Sequence, residues 1–221
     1  MKELFWETER RPVTEEEFYA EQDEDSPYQF LGGKLVVREP ASDLHEDLCA
    51  FLSAVMRIAF EERGGGVVRG DRYPMRLDPR WSPEPDVMVV REGRRQLIGP
   101  QRLEGPADLV IEIASPGDVR RALRLKLPRY HQARIPEIWV IDPWVGNVRV
   151  EVLEASEVQN TVESQEPAAI EQPQAAPTYR SREVTAGRLH SAVFPWFWID
   201  VSWLWQKPLP PTLGCVRQIL G

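Results

Sequence analysis

An α/β fold, with helices packed on a mixed central sheet, is what this sequence predicts. Three observations carry the prediction. Residues 42–63 keep apolar side chains at helical spacing, and residues 85–90 and 108–115 read as consecutive buried strands. A second helical pattern then stands between the last of these and a further apolar strand at 137–142. The order helix, strand, strand, helix, strand suits a layered sheet with extra β-hairpins around it. At 221 residues the chain suits one domain with embellishments and can bury a substantial core.

Residues 1–27 are polar and acidic, and Thr14-Glu15-Glu16-Glu17 suits a capped short helix through Phe18 and Tyr19. Residues 28–37, YQFLGGKLVV, read as two short strands about a Gly32-Gly33 turn. Ser42 or Asp43 can cap the long helix. Its positions Leu44, Leu48, Phe51, Leu52, Val55, Ile58 and Ala59 form one stripe, and Gly64-Gly65-Gly66 stops it after Arg63. Residues 67–77 suggest a strand ending at Asp78-Pro79, and Pro85 to Val90 another, with Asp86 at its entrance. An Arg-rich loop or short helix covers 91–105. The strand DLVIEIAS follows, then a turn at Ser115-Pro116-Gly117-Asp118 and a helix with Val119, Ala122, Leu123, Lys126 and Tyr130 on one stripe. Pro128 removes a backbone donor inside that helix. The strand at 137–142 is closed by Pro143, and residues 148–153 form its hairpin partner around Gly146-Asn147.

Residues 154–177 contain no Lys or Arg and are rich in Pro, Gln and Glu, which predicts a disordered acidic insertion. It separates a core at 1–153, which includes an N-terminal extension, from a C-terminal part at 178–221 that completes the same domain. There, residues 178–191 return to strand character. Residues 194–205, FPWFWIDVSWLW, hold four of the eight tryptophans, and core packing or a subunit interface explains them better than base stacking.

Composition excludes some classes of function. No apolar run is long enough to span a bilayer, and the acidic N-terminus is unlike a secretory signal, so a cytoplasmic protein is expected. Cys49 and Cys215 lie far apart and resemble no metal or redox motif. The net charge of −8 argues against a general nucleic-acid binder, but residues 66–134 hold fourteen Lys/Arg against nine Asp/Glu, a local +5. Those arginines either meet phosphates or simply solvate exposed helix and loop surface.

The central segment also carries an anomaly. Glu112 interrupts a buried strand and Lys126 interrupts an apolar helical stripe, and an ionised carboxylate is costly to bury without a cation, a metal or a proton. Asp86 lies on the preceding strand. Two readings stand on the residues alone. In one, Asp86 and Glu112 are sheet neighbours whose oxygens hold a hard divalent cation such as Mg²⁺, with Lys126 beside a phosphoryl-transfer site. In the other, Glu112 and Lys126 are a buried ion pair and Asp86 merely ends a strand. His45, in the first turn of the long helix, is either a surface or capping residue or a member of this site.

The series Pro85-Asp86, Glu112 in a strand followed by Ser115-Pro116, Lys126 and Tyr130, then Ile138-Trp139-Val140-Ile141-Asp142-Pro143, resembles the Uma-two family of endonucleases, a branch of the PD-(D/E)XK, restriction-endonuclease-like superfamily. The resemblance covers about residues 18–153, and the Trp-rich tail is similar to that family's C-terminal segment. It implies a restriction-endonuclease-like mixed sheet flanked by helices, and a DNA endonuclease that hydrolyses phosphodiester bonds by water activated on Mg²⁺ or Mn²⁺. Asp86 and Glu112 would be the metal ligands and, with Lys126, the catalytic residues. His45 and Gln29 would stand at supporting positions. The wider superfamily has its lysine two residues after the glutamate, where this chain has Ala114, and this branch supplies it from the following helix. Two positions depart from the pattern: Gln29 stands where the family often has an acidic residue, and Ala122 where it tends to carry an Asp four residues before the lysine. They motivate an alternative, a catalytically degenerate DNA-binding or assembly module on the same fold. The resemblance also implies a homodimer that addresses two strands.

Overall fold

The computed structural model describes residues 12–21, 26–37, 42–70, 72–114, 119–154 and 176–221. The turn at 115–118 and residues 155–175 of the expected insertion lie outside the described residues.

Helix α1 (Glu15–Glu21) opens on a reciprocal cap: Glu17 N–H donates to Thr14 Oγ1 at 3.1 Å, and Thr14 N–H donates to the Glu17 carboxylate at 2.9 Å. Strands β1 (Tyr28–Leu31) and β2 (Lys34–Val37) make the expected hairpin, with Gly32 and Gly33 both at positive φ in its turn. Ser42 rather than Asp43 caps α2 (Asp43–Arg63), and Gly64 ends it. The stretch expected as one strand at 67–77 is two, β3 (Gly66–Gly70) and β4 (Met75–Arg76). Between them Arg72 takes φ 63°, a left-handed conformation that breaks strand geometry. Next come β5 (Trp81–Ser82), β6 (Val87–Arg91), a 3₁₀ turn at Glu92–Leu97, β7 (Leu103–Glu104) and β8 (Leu109–Ile113). Helix α3 (Val119–Gln132) includes Pro128 and leads to β9 (Glu137–Asp142) and β10 (Asn147–Leu153). After residues 155–175 the chain continues as β11 (Tyr179–Val184), β12 (Arg188–His190), β13 (Trp198–Asp200), a 3₁₀ turn at Val201–Trp205 and α4 (Thr212–Leu220), a helix that the sequence reading lacks.

The central sheet has six strands in the order β11-β10-β9-β8-β6-β3. It is mixed: β8 and β9 run parallel, as their connection through α3 requires, and the other neighbours are antiparallel. Alternation along the strands sends Val87, Val89, Leu109, Ile111, Trp139 and Ile141 to one face, where α2, α4 and the β12–β13 hairpin cover them. Met88, Val90, Val110, Ile138 and Val140 form the opposite face and pack with Tyr130 of α3. By the same period of two, Glu112 shares the α3 side with Val110. That parity is why a carboxylate in a buried strand meets a helix carrying a lysine.

The Trp-rich segment packs inside the fold, as core packing requires. Trp198 and Trp203 are buried with ring centroids 5.5 Å apart, and Phe60 of α2 lies edge-on to Phe194 at 4.9 Å. No helix among the described residues is long and apolar enough to cross a membrane.

Candidate active site

Asp86 stands immediately before β6, and Glu112 is the penultimate residue of β8. Val87 pairs with Ile111 across these antiparallel strands, so the next position along both sets Asp86 opposite Glu112. On the other side of β6, Gly70 approaches so closely that a Cβ there would lie 2.5 Å from the Asp86 carbonyl oxygen. Only glycine permits that approach. The Asp86 carboxylate is oriented by the backbone, its Oδ2 accepting the Ile113 N–H at 2.6 Å. His45 Nε2 lies 3.5 Å from the same oxygen. The α2 cap delivers that histidine, since its N–H donates to Ser42 Oγ at 3.3 Å.

Glu112 is 6% exposed and Lys126 4%. The Lys126 ammonium donates to Glu112 Oε1 at 3.1 Å, to Oε2 at 3.0 Å and to the Glu84 carbonyl at 2.9 Å, which accounts for all its protons. One helical turn on, the Tyr130 hydroxyl donates to Glu112 Oε1 at 2.5 Å. Gln29 acts at one remove. Its Oε1 accepts the Glu84 N–H at 3.3 Å, holding from its N–H side the residue whose carbonyl receives Lys126.

The electrostatics follow from burial. Desolvation pushes the Glu112 carboxyl above the usual carboxylate range, the Lys126 charge opposes this, and the nearby Asp86 charge adds to it. Tyr130 is held well above the ordinary tyrosine value by burial and by Glu112, so its hydroxyl stays a donor. His45 is raised chiefly by its hydrogen bond to Asp86.

The structure therefore brings Asp86, Glu112, Lys126 and His45 together at one end of β6 and β8, with Gln29 supporting them through Glu84. The ion pair of the second sequence reading is present, but Asp86 does more than end a strand. Sequence reasoning missed two partners. Tyr130 contacts Glu112 directly, and its position four residues after Lys126 is the signal. Cys49 Sγ lies 3.5 Å from His45 Nδ1, and the donor atoms of His45, Cys49 and Asp86 all fall within 4.8 Å of one another. The spacing of four along α2 between His45 and Cys49 could have revealed it.

The basic segment is less free than its +5 charge suggests. Arg94 lies 3.0 Å from Asp108, Arg95 3.1 Å from Glu92 and Arg102 2.6 Å from Glu104. Arg129 stacks over Trp81, and Arg76 pairs with Glu15. Arg124, on α3, is exposed.

A model of the family described as "Uma2: Putative restriction endonuclease" matches residues 15–197. The chain belongs to the Uma2 family. The match begins in α1 and ends in the Trp-rich segment, and so takes in every residue of the cluster above. A crystal structure of a "putative nuclease" from Anabaena variabilis superposes with a TM-score of 0.64 at 14% identity, covering 88% of this chain and 98% of that one. At that identity the likeness shows the fold, a mixed sheet flanked by helices. No curated protein matches the chain.

Proposed function

We propose that this Uma2 protein is a DNA endonuclease of the cytoplasm that hydrolyses phosphodiester bonds with Mg²⁺ or Mn²⁺ held by Asp86 and Glu112. The observation that carries the reading is the register that sets Asp86 opposite Glu112, with the Lys126 ammonium on the second carboxylate. The family's description and that of its structural neighbour support the same reaction class.

The donor set fits a hard divalent cation. Asp86 and Glu112 offer carboxylate oxygens, the chemistry that such ions select, and Lys126 and Tyr130 together take three of the roughly four lone-pair directions of Glu112. A cation would also relieve the repulsion that Asp86 exerts on Glu112. When bound, such an ion polarises a phosphoryl oxygen and makes water a better nucleophile.

The chain's own residues supply the rest. Tyr130 fixes Glu112, the Ile113 N–H fixes Asp86, and the Glu84 carbonyl tethers Lys126 so that its ammonium stays at the reacting centre. Lys126 exchanges one of its two bonds to Glu112 for the attacking water, which it then orients, and its charge meets the charge developing on the phosphorane. Exposed Arg124, on the same helix, can neutralise a flanking phosphate. Trp198 and Trp203 of the Trp-rich segment serve the core while Trp196 and Trp205 stay half-buried, and a homodimer would set two sites on two strands.

The test is plasmid nicking in Mg²⁺ by the wild type and by Asp86→Asn, Glu112→Gln and Lys126→Ala. Each variant should lose about a hundredfold or more of the activity while retaining a cooperative melt. Full nicking by Glu112→Gln would sink the mechanism. Salt-sensitive DNA binding without Mg²⁺-dependent scission would favour the degenerate binding module, which Gln29 and Ala122 motivate.

A further inference from the structure

His45 and Cys49 stand one turn apart on α2 and face the same carboxylate. His45 Nε2 lies 4.0 Å from Cys49 Sγ and 3.5 Å from Asp86 Oδ2, and all three side chains are half-buried. Ligands on a tetrahedral Zn²⁺, with Zn–S of about 2.3 Å and Zn–N or Zn–O of about 2.0–2.2 Å, lie about 3.4–3.6 Å apart. The two separations from His45 Nε2 therefore need change only by tenths of an ångström, and with all three atoms within 4.8 Å of one another, small side-chain rotations bring them onto one ion. The donor types differ from those of the Asp86–Glu112 pair. A thiolate, an imidazole and one carboxylate suit a borderline-soft transition metal and are poor ligands for Mg²⁺.

We propose that His45, Cys49 and Asp86 form a three-ligand site for Zn²⁺, separate from the hard-cation pair and joined to it through Asp86. Half-burial leaves an entry path and room for a water as fourth ligand, the arrangement of an open zinc site. Binding deprotonates the Cys49 thiol and releases that proton to solvent, so no redox step or further reactant is involved. The Ile113 N–H, already on Asp86 Oδ2, orients the shared carboxylate from the outer shell. Because one carboxylate serves both positions, Zn²⁺ bound here weakens Mn²⁺ binding at Asp86–Glu112. That antagonism rests on the nuclease reading; the zinc site does not.

The test is a Co²⁺ titration of the full-length protein followed by optical spectroscopy, with Zn²⁺ calorimetry alongside. The wild type should show a thiolate-to-cobalt charge-transfer band and tetrahedral ligand-field bands that added Zn²⁺ bleaches. Cys49→Ser should abolish the charge-transfer band and weaken Zn²⁺ about tenfold or more, and Glu112→Gln should retain both. His45→Gln should behave like Cys49→Ser, with thermal melts confirming that each variant is folded. Cobalt bound without a charge-transfer band, or bound in the wild type and lost in Glu112→Gln, would put the ion at the hard site and overturn the proposal. No Co²⁺ or Zn²⁺ binding would overturn it equally. Nicking activity enters none of these readouts, so failure of the nuclease reading would be seen separately.

Discussion

Lys126 and Glu112 meet at 3.0 Å with their charges almost wholly withdrawn from solvent, and the Glu84 carbonyl and Tyr130 hydroxyl complete their hydrogen bonding. A pair in this setting is a weak source of net stability but a severe liability when broken. Lys126→Met should cost about 3–5 kcal/mol, because it strands a buried carboxylate. The double variant Glu112→Gln/Lys126→Met should recover most of that loss. Urea denaturation in a double-mutant cycle reads both, and additive losses would show that the two residues are not coupled.

Tyr130 donates to Glu112 at 2.5 Å and is fully buried. Tyr130→Phe removes the hydroxyl without changing the packing volume much, and a hydrogen bond to a charged group is worth about 1.5–3 kcal/mol. The variant should be destabilised by about that amount, and its Glu112 should titrate higher still, since a bond that favours the ionised form is gone. Carboxyl carbon NMR of Glu112 checks the second expectation.

How far these contacts could be read from the chain depends on whether each breaks a pattern. Glu112 interrupts a strand of period two and Lys126 a helical stripe, so both stand out in the sequence. Tyr130 does not, because a tyrosine suits an apolar stripe whether or not its hydroxyl has a partner. Cys49 escapes a search that pairs cysteine with cysteine, since its neighbour is a histidine four residues earlier. The mixed sheet follows from the order of apolar runs, and the Ser42 cap and Gly64 stop bound α2 as their chemistry dictates. The break between β3 and β4 depends on Arg72 adopting a left-handed conformation that arginine does not advertise. The ion pairs of the central arginines come from tertiary placement, which composition cannot convey.

His45 is held above its ordinary value by Asp86, so its contribution to stability is present in full below about pH 6.5 and is lost as pH rises through the folded-state value. The melting temperature of the wild type should therefore fall relative to that of His45→Gln between about pH 6 and about pH 8. Parallel curves for the two proteins across that window would remove the His45–Asp86 contact from the account.

Gly70 lets β3 approach Asp86. In Gly70→Ala the new Cβ would lie 2.5 Å from the Asp86 carbonyl, a backbone atom that cannot swing away. The strands must part, at a cost of about 1–3 kcal/mol, and Asp86 moves with them. The expected result is a lower melting temperature together with weaker Mn²⁺ binding, although Gly70 itself offers no ligand.

The central claim is that Asp86 and Glu112 jointly hold the hard cation, and Mn²⁺ calorimetry on the wild type and Glu112→Gln tests it most directly. Binding in the wild type that falls about tenfold or more in Glu112→Gln, with the variant still folded, is the predicted result. Equal affinity in the two proteins, or no Mn²⁺ binding by the wild type, would contradict the claim and leave Glu112 and Lys126 as a structural ion pair.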